Sequence, residues 1–381
     1  HNTHQLFDFA PYDESIDKRK YNHLKNWIQN KLEKIDVDFQ LQRILDWEQK
    51  IFLDQINPSD EKILLREIKN QKPSSFYFSK FYEILRSYRS FLLIRLRYGD
   101  HEMVSSFLRK HEPGYSRAQK IKQKLHKATN DIVMQYSGEN KESKQWENWL
   151  LEIFHDGQVE GQLRYQALVC LAFIGYNYRK YDLLEPCFEQ FEIEVEKGMM
   201  YSRRHLNNYY NNRLLLHSHK KEYKKAAYYG YMAVRQVNHD YLLYVNNLCA
   251  VLIRLKEYKR ALDLLKKAKP QAVKTKNMHN RIGFVAFYME CLIKNNYSAR
   301  ACSYGNAFLK AYQKEILKLR WHLFFSVYLE ALVSENRWRE VVRVIRKYDL
   351  LEKEKAYRTK ASHAPLLSQY YRRACDVLAL S

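Results

Sequence analysis

Lys256-Glu257-Tyr258-Lys259-Arg260-Ala261-Leu262 is the phrase that decides the fold, because the stretch from Tyr201 to Tyr348 carries it in four versions. The others are Lys221-Glu222-Tyr223-Lys224-Lys225-Ala226-Ala227, Asn295-Asn296-Tyr297-Ser298-Ala299-Arg300-Ala301 and Asn336-Arg337-Trp338-Arg339-Glu340-Val341-Val342. Each time a helix-length run ends in a short polar turn, an aromatic residue follows, and a second helix-length run begins. The aromatics lie 35, 39 and 41 residues apart. A period of about 34–47 residues marks stacked helical hairpins, none of which can bury its apolar face alone. The expected class is all-α.

Composition agrees. Seven Pro and ten Gly in 381 residues leave little material for β-turns, and no Asn-Gly or Asp-Gly hairpin signal flanked by alternating apolar residues appears. Thirty-one tyrosines suit thin two-layer helical packing, where one end of a side chain is dry and the other reaches water. The formal charge of +22 is one-sided: residues 1–200 hold 30 Lys+Arg and 30 Asp+Glu, whereas residues 201–381 hold 35 and 13. Such asymmetry points to an acidic partner; a solvated lysine-rich surface is the alternative. The six cysteines form no C-x-x-C pair and read as buried reduced thiols in a cytoplasmic protein. No apolar run reaches the ~18 residues of a membrane span, so no membrane partner is expected. A leader removed before His1 stays open.

Along the chain, residues 1–75 read as an arm, broken by Pro11, followed by helices over Lys18–Ile35, Phe39–Ile56 and Glu61–Asn70. Residues 76–200 read as degenerate, charge-neutral hairpins: Phe76–Tyr98 with His101–Lys110, Ser116–Tyr136, and Trp146–Phe154 with Gln158–Tyr176. Glu112-Pro113-Gly114 and Ser137-Gly138-Glu139-Asn140 are read as breaks. His101 is expected where the aromatic stands in later units, and one degenerate unit is expected between it and Tyr181. Residues 201–348 form the basic repeats. In residues 349–381, His363-Ala364-Pro365 breaks the chain before a closing helix over Leu366–Leu380, which would cap the array.

At this point the residues resemble the tetratricopeptide repeat family. Val245, Leu248, Cys249 and Leu252 on one helix, then Tyr258, Ala261, Leu265 and Ala268 on the next, follow its pattern of large and small residues. Tyr210, Tyr223, Ala226, Gly230 and Ala233 do the same one unit earlier. Small residues at those steps let two helices approach closely. Two later units depart: Arg300 stands where the first small residue belongs, and Val341 replaces it after Trp338. The resemblance covers residues 160–348, and 76–160 loosely. It implies a right-handed superhelical α-solenoid of about five or six units, with the first helix of each unit lining a concave groove where ligands lie.

On those first helices, Asn211-Asn212 and Asn246-Asn247 fall at equivalent positions, and Asn207 and Asn208 extend the set by one turn. Asparagine is a mediocre helix former, so the clustering wants a reason. An amide that both donates and accepts suits an extended peptide backbone or base edges; bonding to neighbouring helices or water is the alternative. Arg203, Arg204, Arg213, Arg254, Arg281 and Arg320 lie near that face and would grip carboxylate or phosphate with direction. Lys224, Lys225, Lys259, Arg260, Lys266 and Lys267 fall on second helices, toward the convex side.

Enzymatic readings find no footing. His217-Ser218-His219 splays its imidazoles onto different helix faces, and Glu192, Glu194 and Glu196 are explained as surface. No phosphate loop, nucleophile elbow or zinc-hydrolase helix is present. No cofactor is expected. The readings are a non-catalytic adaptor holding an acidic or extended peptide of a partner protein, a nucleic-acid binder using the basic half as an electrostatic cradle, and, third, a regulatory arm whose neutral half docks one protein while the basic half senses another ligand. The second would draw on aromatics interleaved with Lys/Arg in Tyr223–Tyr231 and Tyr304–Trp321. Oligomeric state is left open.

Overall fold

Each repeated phrase turns out to be one stereochemical device. In the computed structural model, Leu96, Arg179, Lys221, Lys256, Asn296 and Asn336 all sit in the left-handed region, with φ from 55 to 64°. The amide after each closes back on the carbonyl five residues earlier: Arg97 on Leu92, Lys180 on Gly175, Glu222 on His217, Glu257 on Leu252, Tyr297 on Leu292 and Arg337 on Leu332, at 2.8–3.1 Å. This is the Schellman ending of a helix, which satisfies carbonyls that the last turn orphans. Two residues past the left-handed position the next helix begins.

The structure describes residues 17–136, 142–358 and 367–379. The arm before Asp17, the break at 137–140 and the break at 363–365 fall outside them. Every element is helical apart from one 3-10 turn at Lys144–Trp146, and no strand occurs among the described residues. The chain divides into two compact units, residues 1–206 and 207–381.

The first unit holds α1 (Lys18–Ile35), α2 (Val37–Phe52), α3 (Pro58–Ile68), α4 (Phe78–Ile94), α5 (Tyr98–Tyr136), α6 (Glu147–His155), α7 (Gly161–Asn177) and α8 (Tyr181–Glu196). Helix α9 (Arg203–His219) begins there. Two expectations fail here for physical reasons. Glu112-Pro113-Gly114 ends nothing: α5 runs 39 residues through Pro113, and Gly114 lets Pro73 approach to 3.1 Å of where a Cβ would stand. The aromatic of the first hairpin is Tyr98, not His101, since Leu96 supplies the left-handed residue. One long helix therefore serves two pairs. Its first half packs on α4 through Phe81–Phe107 and Tyr82–Tyr115. Its second half meets the 3-10 turn through Asp131–Trp146, α6 through Lys124–Trp149, and α7 through Thr129–Cys170. This supplies the degenerate unit expected before Tyr181.

The second unit continues α9 and adds α10 (Tyr223–Ala233), α11 (Tyr241–Arg254), α12 (Tyr258–Lys274), α13 (Met278–Lys294), α14 (Ser298–Leu319), α15 (Trp321–Ser334), α16 (Trp338–Lys347), α17 (Leu350–Arg358) and α18 (Leu367–Leu378). First helices α11, α13 and α15 touch in succession, while α12 and α14 each bridge two of them, giving two layers. Counting from the left-handed residue, the fifth position is a fully buried Ala226, Ala261, Ala301 or Val341. The ninth is Gly230, Leu265, Gly305 or Ile345. A Cβ on Gly230 would meet Leu214 and Leu248 at 2.6 and 2.7 Å, which is why none is there. Arg300 is thus no departure from the pattern. Tyr297 stands one residue early, before a helix that begins at Ser298, and Ala301 fills the small position. Helix α18 lies on α15 and α16, its start held by Glu354, which accepts the Leu367 and Ser368 amides at 3.1 and 2.9 Å.

Candidate ligand-binding face

The asparagines on α9, α11 and α13 form a ladder between successive first helices. Asn247 donates to Asn211 at 2.9 Å, Asn246 donates to the Asn280 carbonyl at 2.9 Å, and Asn212 donates to Asn208 at 3.3 Å. Asn207, Asn211 and Asn246 are buried, while Asn208, Asn212 and Asn247 are half-buried. Asn211, Asn246 and Asn247 thus tie first helices together, whereas Asn212, which holds Asn247's position one unit earlier, bonds to Asn208 within α9. Asn246 leaves one acceptor, Oδ1, buried without a hydrogen-bond partner.

Around Asn246 the geometry turns outward. Gly283 on α13 lies beneath it: a Cβ there would come within 3.1 Å of Asn246 Nδ2 and 3.3 Å of the Arg320 guanidinium. Arg320 stands at the junction of α14 and α15 with φ −146° and ψ 40°, a conformation that carries it over this glycine. Burial, then the charge of Arg320, hold His279 and His322 below the usual imidazole range, so both are neutral near pH 7 and Arg320 carries the positive charge of the cluster. Arg281, half-buried on the same helix as Gly283, lies 4.5 Å over the Tyr312 ring. A guanidinium braced by a ring face keeps its fork of donors for an anion.

The remaining arginines go elsewhere. Arg213 is buried, flanked by the rings of Tyr209 and Tyr229 at 5.9 and 5.5 Å; it belongs to the core of its hairpin. Arg254 is exposed and donates to the Ala250 carbonyl. Arg203 and Arg204 lie in the first unit. Arg204 is held by Asp38 at 2.9 Å, so a carboxylate of the chain's own N-terminal helices already occupies it. His217 is not half of a metal pair: it bonds Glu222 at 2.6 Å and stacks on Tyr229. Glu194 is no surface residue, since it pairs with the buried Arg164 at 3.2 Å.

Sequence reasoning missed a cleft of about 670 Å³ in the first unit, bounded by α1, α2, α3 and the turns at 70–77 and 198–199. Its floor is Trp47, Phe76, Tyr77 and Phe81, and Arg43 stands 5.1 Å over Trp47 while pairing with Glu67 at 3.4 Å. The contributing residues are scattered over 170 positions from Asn30 to Met199; no local pattern announces them. Compared with protein-family models, curated proteins and solved structures, the chain matches none.

Proposed function

We propose that the second unit is a non-catalytic scaffold of tetratricopeptide type that holds an acidic, extended segment of a partner protein. The observation that carries this is the pair Arg281 and Arg320, one braced on Tyr312 and the other set over Gly283 beside neutral imidazoles. Carboxylates of the partner would take these forks, and the exposed edges of Asn208, Asn212 and Asn247 would meet its backbone. Three of the aromatics that base stacking would draw on are taken up in packing, whereas Tyr231 is 42% exposed, so the preference for a peptide rests on the arginine forks. Tyr229 lies under His217, Tyr304 packs edge-on against Tyr288, and Phe308 is buried.

The test is anisotropy of a labelled Asp/Glu-rich extended peptide against the full chain. Arg281→Gln with Arg320→Gln should weaken binding by at least about tenfold, as loss of charge-assisted bonds requires, with circular dichroism unchanged. Equal affinity in the double variant overturns the proposal. RNA or DNA retarded at about 50 mM salt, with a steep linear fall of log affinity on log salt, would assign the face to phosphate instead.

A further inference from the structure

At one end of the first unit two turns of the same stereochemistry stand side by side. After α2, Asp54 takes φ 55° and the Gln55 amide closes on Lys50; after α4, Leu96 takes φ 58° and the Arg97 amide closes on Leu92. Arg95 joins them, donating to Asp54 at 2.7 Å. Around the exposed Asp54, Gln55 and Arg95, six apolar side chains also project from this pair: Phe52 (69% exposed), Leu53, Leu93, Ile94 (77%), Leu96 (68%) and Tyr98 (63%).

The sibling turns show how unusual this is. At the left-handed position the other five hairpins carry Arg179, Lys221, Lys256, Asn296 and Asn336, residues that hydrate well and that, for Asn, tolerate the conformation. Among the described residues, only here does the chain place a leucine in the left-handed region, and it is exposed. Nothing about the turn requires leucine, since lysine fills the same geometry twice. The six side chains together offer an area on the order of 600 Å², at the upper limit of apolar patches on monomers and near the ~800 Å² per partner of a stable interface.

We infer that this end of the first unit pairs with a second copy of the chain about a twofold axis. The charge at the centre of the patch selects that occupant. Asp54 and Arg95 are adjacent and both open to solvent, so an isologous contact can set Arg95 of each copy against the free carboxylate oxygen of the other's Asp54. A lipid surface would have to accept the Asp54 carboxylate among its own anionic groups. A partner of one charge sign would meet an unlike and a like group together. A second copy satisfies both.

Sedimentation velocity of the full chain across the micromolar range tests this. Wild type should be dimeric, and Ile94→Lys with Leu96→Lys should be monomeric with unchanged helicity, both sites being exposed and position 96 having lysine precedents. Asp54→Arg and Arg95→Asp should each be monomeric alone, because each sets like charges across the axis. Mixed in equal amounts they should associate, since each then supplies what the other lacks. A wild type that stays monomeric overturns the inference, as does a dimer that survives the two lysines. Binding of wild type to phosphatidylserine vesicles that is lost in the lysine variant, with no dimer in solution, would give the face to lipid and overturn it as well.

Discussion

His205 ties three parts of the first unit together. Its Nδ1 lies 3.0 Å from the Met200 carbonyl and its Nε2 3.2 Å from the Arg204 guanidinium, so Nδ1–H donates, Nε2 accepts, and the ring is neutral. Tyr165 and Phe76 close over it at 3.8 and 5.3 Å. Burial, helped by Arg204, pushes its pKa down to about 4, against the pull of Met200 and Asp38. The unfolded chain takes up this proton at about 6.5, so between these values it binds more protons than the fold does. Stability from this residue is therefore complete above pH ~6.5 and lost as pH falls through ~4, by up to about 3 kcal/mol. Urea midpoints at pH ~7 and pH ~5 should differ less for His205→Gln, which cannot titrate, than for wild type; an equal difference would refute the assignment. None of this could be read beforehand. That Asn211 and Asn246 each stand ten residues before a left-handed residue follows from local spacing and was legible, whereas their different bonding partners were not. The capture of Arg204 by Asp38, 166 residues away, was not, because no periodicity links them.

At the scale of elements, hairpin turns were legible and helix ends through Pro-Gly were not, for one reason. A turn closed by a left-handed residue is a local device, whereas Gly114 answers to Pro73 on another segment. The turns still carry a cost that can be measured. Lys221 and Lys256 sit at φ 61°, where a Cβ crowds the following carbonyl. Lys256→Gly should stabilise the chain by about 0.5–1 kcal/mol, the relief of strain less the greater entropy of an unfolded glycine. Lys256→Val should destabilise it, being β-branched. Thermal midpoints that rank in any other order would deny the turn its role. Gly305 tests the packing side: a Cβ there would meet Met289 Sδ and the Tyr328 ring at 2.6 Å. Gly305→Ala should cost about 1–3 kcal/mol in urea denaturation, a larger loss than at Gly99, around which a Cβ meets nothing within 4 Å.

At the scale of the molecule, the division of charge coincides with the division into compact units. Residues 1–206 hold 32 Lys+Arg and 30 Asp+Glu, residues 207–381 hold 33 and 13. The first unit spends its arginines on its own carboxylates, as in Arg97 with Glu61 and Asp100, Arg117 with Asp156, and Arg164 with Glu194. The second has too few carboxylates to do so, and most of its pairs are short-range contacts such as Arg260–Glu257 and Lys266–Asp263 on exposed faces, which contribute little. Its folded state therefore carries uncompensated self-repulsion, which a binding partner or salt can relieve. Raising ionic strength from about 0.01 to 0.15 M shortens the screening length from about 30 to 8 Å. Amide exchange in α11–α16 should slow across that change, while exchange in α2–α7 should hold steady or quicken as its ion pairs are screened. An acidic peptide bound at Arg281 and Arg320 should produce the same slowing at low salt and little more at high salt. Protection that rises equally in both units would mean the excess charge is spread too thinly to strain the fold, and would remove the electrostatic reason for expecting an anionic partner.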